Sequence, residues 1–178
     1  MLTLDREYVG FRPLAILPII LFAPTFVSYA VAPGAIGFEY TGILFHVSIL
    51  FLVSRMDGPL WAKAAGFGWL ALDIATGALL INHVPHDIAF PLRLGGHVMC
   101  GIWMATVSLL AVSKVIRIVG AIAGAWLSLY TFVSPVLPTL FLAPASILLL
   151  VWFGLLAWKY HPGEQLPGAR TRPAQSIA

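Results

Sequence analysis

LWAKAAGFGWLALDIATGALLIN, residues Leu60–Asn82, decides the fold. The stretch is long enough to cross a bilayer, which takes about 20 mostly apolar residues at about 1.5 Å of rise each. It begins straight after a strong turn signal, Asp57-Gly58-Pro59, and ends where the chain turns polar at Asn82-His83. One acid, Asp73, stands deep inside it.

Five more stretches of this kind flank it. They run over Pro13–Ala32, Phe38–Arg55, Ala89–Ser113 and Val115–Val133, and from the turn at Pro138 to about Trp158. Pro18 and Pro24 predict a bend in the first, and Pro33-Gly34 stops it. Pro91 fits the first turn of the fourth. The gaps are short, so sequential helices must be antiparallel neighbours. The expectation is an all-α, polytopic membrane bundle of six transmembrane helices. Residues 1–160 form a single domain, and residues 161–178, rich in Pro, Gly, Gln and Arg, form a flexible cytoplasmic tail.

Composition agrees with this reading. The 178 residues are 60% apolar and 10% charged, against about 25% charged in soluble domains. Mean hydropathy is +0.95. Too few charges remain to coat a water-facing globule. Nine of the ten Lys and Arg residues fall at alternate ends of the apolar stretches, and Arg93 alone falls on the other side. Loops rich in Lys and Arg stay cytoplasmic, so both termini are expected inside, in a cell inner membrane. The net charge of +3 then serves topology and anionic lipid rather than nucleic acid. Asp5 and Glu7 beside Arg6 and Arg12 are unlike a cleaved signal, and the first helix is expected to be retained. Cys100 is the single cysteine, which excludes an internal disulfide and any Cys-based metal cluster.

Small residues mark close helix approaches. Gly120 and Gly124 form a GxxxG, open to packing within the chain or to a homo-oligomer. Trp61, Trp158 and Tyr160 suit the cytoplasmic interface, while Trp69, Trp103, Trp126 and Trp152 should lie deeper.

Ionisable residues inside the spans carry the functional signal. Asp73 lies nine residues before Asn82, about 13 Å below that end of its helix. His46 and His97 fall at about 12 Å on the two flanking helices. The three should converge, with His97 as first partner of Asp73 and Arg93 as second. Glu39, Asn82, His83, His86, Asp87 and Arg93 lie above them, as a polar funnel from outside.

Four chemistries can use this layer. Asp73 and His97 can relay protons in a proton-coupled carrier. His46 and His97 can supply axial nitrogens to a b-type haem. Asp73 and His97 can act as acid and base on a lipid, isoprenoid or quinone, with His46, Glu39, Asn82 and Arg93 binding it. His83, His86 and Asp87, with Glu39, carry donors that zinc accepts. A purely structural clamp between helices is the bland alternative. No nucleophile elbow, zinc-protease, Walker or dinucleotide motif is present. The leading expectation is binding of a small lipophilic molecule at the Asp/His layer.

Overall fold

The computed structural model describes residues 10–31 and 36–164, with the backbone alone at 28–30. Among these are six α-helices: α1 (Phe11–Val31), α2 (Gly37–Arg55), α3 (Leu60–Ile81), α4 (His86–Leu110), α5 (Lys114–Val133) and α6 (Ala143–Lys159), with a 3₁₀ turn at Thr139–Leu142 leading into α6. By length and composition, α2 to α5 and the stretch Thr139–Lys159 can each cross a membrane, and Phe11–Val27 adds a shorter apolar helix. The expected stop at Pro33-Gly34 and most of the expected tail lie outside the described residues.

The packing is that of a lipid-facing bundle. Only 28–33% of each spanning window is buried inside the protein. The outward faces carry Ile20, Leu44, Phe51, Leu109, Ile118 and Leu129, all exposed. Water would penalise such a surface and lipid does not. The protein is a multi-pass integral membrane protein.

Each helix packs on its neighbour in sequence, and α6 closes back on α1. The result is a ring of six antiparallel helices. A ring this wide leaves an axial space that side chains must fill. Trp103, Trp152, Phe45 and Phe153 fill part of it and are fully buried.

The seam between α4 and α5 is the tightest. A Cβ added at Gly101 would collide with Ser128 Oγ and the Gly124 carbonyl. One added at Gly120 would collide with Ser108 Oγ. The two backbones therefore touch, and hydroxyls stitch them. Thr131 Oγ1 donates to Leu94 O at 2.8 Å and Ser128 Oγ to Val98 O at 3.3 Å. Gly120 and Gly124 thus pack on α4 of the same chain.

One expectation changes. Helix α4 starts at His86 rather than Ala89, because extended Pro85 precedes it and His86 and Asp87 form its first turn. Pro91 therefore sits beyond the first turn and removes one helical hydrogen bond. Trp126 is 39% exposed on the side of α5, and its Nε1 donates to Phe141 O at 2.8 Å, pinning the 3₁₀ turn.

At the opposite end of the bundle, Tyr160 closes the ring. Its hydroxyl accepts the Asp57 backbone N–H at 2.8 Å and donates to Asp57 Oδ2 at 3.2 Å. Burial raises its pKa, so the phenol stays protonated at any physiological pH. Gly163, at φ +88, bends the chain so that its N–H reaches Asp57 Oδ2 at 2.5 Å.

The seam predicts a contrast between two glycines. Gly120→Ala forces α5 away from α4 and breaks the 2.9 Å bond from Trp152 Nε1 to Ser108 Oγ, at a cost of about 1–3 kcal/mol. Gly154, with nothing within 4 Å of an added Cβ, accepts alanine and gains up to about 1 kcal/mol. Thermal melting in detergent should fall for the first variant and hold or rise for the second.

Candidate functional site: a buried carboxylate above an aromatic floor

Asp73 is buried on α3, and its two neighbouring helices supply its partners. His46 of α2 places Nε2 3.4 Å from Oδ2, and Arg93 of α4 places Nε 3.3 Å from Oδ1. Arg93 then turns its fork to Glu39, with NH2 2.7 Å from Oε2 and NH1 3.4 Å from Oε1. One guanidinium thus lies between two carboxylates, and three helices are tied together by charge.

The proton count follows from one contact. His46 Nδ1 lies 2.7 Å from Gly42 O. A carbonyl only accepts, so Nδ1 carries a hydrogen and donates it. The remaining nitrogen, Nε2, faces Asp73. A bare lone pair there would repel the carboxylate, whereas a hydrogen on Nε2 makes the contact an ion pair at 3.4 Å. At 3.3–3.4 Å neither oxygen of Asp73 is in a direct hydrogen bond, and charge does the holding.

His97 is not the first partner of Asp73. The residue facing the carboxylate from α4 is Gly96, where an added Cβ would lie 3.3 Å from Oδ2. The adjacent residue on a helix points about 100° away, so His97 turns into a cavity instead. Its Nδ1 is buried and makes no hydrogen bond. The indole nitrogen of Trp69 on α3 is in the same condition.

That cavity has a volume of about 420 Å³ and lies inside the ring. Its polar side holds Glu39, His46, Asp73, Arg93 and His97, with Cys100 beside them. Its walls are aromatic and aliphatic: Phe22 and Phe26 from α1, Phe38 and Phe45 from α2, Phe90 from α4, and Leu140, Leu142 and Leu149 from the 3₁₀ turn and α6. A closed circuit of rings surrounds the axis at and below the level of His46. His46 packs on Trp69 at 5.5 Å, Trp69 on Trp103 at 5.7 Å and Trp103 on Trp152 at 5.5 Å. Trp152 meets Phe153 at 5.3 Å, Phe153 meets Phe45 at 6.2 Å, and Phe45 returns to His46 at 4.8 Å. Of these rings, Phe45, His46 and Trp69 line the cavity, and the others pack behind them.

The other sequence candidates lie elsewhere. Asn82 is exposed, and its amide donates to Ala78 O at 2.8 Å. His83 ends α3: at φ 61 it sits in the left-handed position, with its N–H bonded to Leu80 O and that of Val84 to Leu79 O, both at 3.0 Å. His86 stacks on Phe90 at 4.6 Å, and Asp87 is exposed in the first turn of α4. Among the described residues, no group of three or more His, Cys, Asp or Glu is placed to hold a metal ion. The structure therefore does not gather His83, His86, Asp87 and Glu39. An axial haem ligand needs a free imidazole nitrogen. His46 would have to surrender its contact with Asp73 to become one.

Helical spacing in the sequence does carry the polar face of the cavity, Cys100 included. Arg93, His97 and Cys100 stand at i, i+4 and i+7; Glu39, Gly42 and His46 at i, i+3 and i+7; Trp69 and Asp73 at i and i+4. Each set is one helix face, and each lines the cavity. Compared with known proteins, the chain matches no protein-family model, no curated protein and no solved structure.

The charge arrangement predicts an asymmetry. Arg93→Leu leaves two carboxylates facing each other without their shared cation and should cost about 3–5 kcal/mol. Adding Glu39→Gln and Asp73→Asn to that variant removes both stranded charges and should restore most of the loss, read as melting temperature in detergent.

Proposed function

We propose that the protein binds a small lipophilic molecule inside the ring. A lipid chain, an isoprenoid or a quinone is the class that suits the walls. The single observation carrying this reading is the cavity itself: about 420 Å³, aromatic on most sides, with charged groups gathered on one. Ligand sites have this make-up, mostly apolar with a few convergent polar groups.

Asp73 is recessed, at 1% side-chain exposure against 13% for His46. The polar end of a ligand therefore meets His46, His97 and Trp69 first, and Asp73 acts through His46. Buried polar atoms without partners are rare in finished interiors. Trp69 Nε1 and His97 Nδ1 are two such atoms on the cavity wall, and both gain a partner if a ligand's polar end enters. In this reading both termini are cytoplasmic and the Glu39 end of the bundle faces outward, in keeping with the distribution of Lys and Arg.

Gly42 allows a clean test. It lines the cavity, and an added Cβ there meets nothing within 4 Å. Gly42→Phe should fill the space and leave the fold intact. Mass spectrometry of solvent extracts should find a lipophilic species with purified wild type that is absent or at least tenfold depleted in Gly42→Phe. The same bound species in equal amount from both proteins would contradict the reading.

A further inference from the structure

The charges around the cavity do not balance without help. Among the described residues lining it, the charged groups are Glu39 and Asp73, both acids, and one guanidinium, Arg93. Their sum is −1. The other titratable residues facing the cluster are His46 from α2 and His97 and Cys100 from α4. The lining residues of α1, α5, the 3₁₀ turn and α6 (Phe22, Thr25, Leu127, Thr139 and Ser146 among them) bring no charge. A net charge inside a low-dielectric bundle is costly, so the site must hold one positive charge from another source. The nearest group that can supply it is His46, whose Nε2 faces Asp73 Oδ2 at 3.4 Å and carries the charge when it holds a proton.

The cavity beside that proton has the surface a cation prefers. Phe22, Phe26, Phe45 and Trp69 line it, and aromatic faces attract cations, most strongly where water is excluded. His97 Nδ1, buried and without a hydrogen bond, adds a lone pair when it is the unprotonated nitrogen.

We infer that the cavity takes a lipophilic monocation in exchange for the proton held by His46 and Asp73. The inference rests on the proposed binding of a lipophilic molecule and specifies its charge. As the cation enters, the His46 Nε2–H bond breaks and the proton passes to water. The imidazole stays bonded to Gly42 O through Nδ1, and the site's total charge is unchanged. By linkage, a cation that expels one proton binds about tenfold more tightly per unit rise in pH while the site is protonated. Across a membrane, this competition is the elementary requirement for exchanging an organic cation against a proton.

Tetraphenylphosphonium is a suitable probe, because its charge is fixed and any pH dependence belongs to the protein. Triphenylphosphine oxide is a neutral counterpart of similar shape. Titration calorimetry on the purified full chain, in two buffers of different ionisation enthalpy, should show close to one proton released per phosphonium bound. Affinity should rise about tenfold per pH unit. The neutral oxide should bind more weakly, with no pH dependence. Asp73→Asn balances the site without a proton and should lose phosphonium binding while still taking up the oxide; if that variant does not fold, the wild-type proton count decides alone. Equal, pH-independent binding of both probes without proton release would overturn the exchange and leave lipophile binding standing. Failure of both probes to bind, with no lipophilic species in the purified protein, would overturn both.

Discussion

A carboxylate among apolar helices must be answered by opposite charge from its immediate neighbours. An unpaired acid at mid-membrane costs about 2.5–3.5 kcal/mol even on the mildest scales. Asp73 sets that demand from the middle of the second, third and fourth helices, and the flanking two meet it with His46 and Arg93. Each contact fixes the rotation of a helix about its own axis. Apolar surface alone would not, since lipid and protein interior are almost equally apolar. Glu39 extends the tie by a further ion pair to Arg93 at 2.7 Å.

With those three helices oriented, the remainder follows from closing the ring. The fourth and fifth helices approach to backbone contact at Gly101, Gly120 and Gly124, giving one stiff side. Hydrogen bonds from the hydroxyls of Ser128 and Thr131 take the place of side-chain interdigitation there. On the other side, the first and second helices are joined through Thr25 Oγ1 and Thr41 Oγ1 at 2.8 Å. Tyr160 and Asp57 close the last gap. The enclosed axis is filled by indole and phenyl rings along part of its length and open along the rest. The boundary between filled and open lies at Trp69 and His46, beside the acid.

Much of this was legible in the sequence. Helix number, and most limits apart from the start of the fourth helix, followed from apolar runs and from turn signals such as Asp57-Gly58-Pro59. The equal depth of His46 and Asp73 followed from counting residues at a fixed rise. What depth cannot give is direction around the helix. Depth alone therefore does not separate His97 from His46 as partner: both lie at the right level, and Gly96, not His97, faces the acid. His83 drew attention as a donor, yet its position is set by backbone geometry at the end of a helix. The role of Gly120 and Gly124 could not be decided from a motif that serves intra- and intermolecular contacts alike. The aromatic floor was hidden because its members come from four helices and share no local pattern.

The account stands on the protonation of one imidazole. Nitrogen-15 NMR of His46 in the lipid-embedded protein measures it directly. Nδ1 should carry a hydrogen directed at Gly42 O, and Nε2 should carry a second one facing Asp73, giving shifts on the imidazolium side. A neutral imidazole protonated only at Nε2, with Nδ1 bare towards Gly42, would contradict the arrangement and the charge count built upon it.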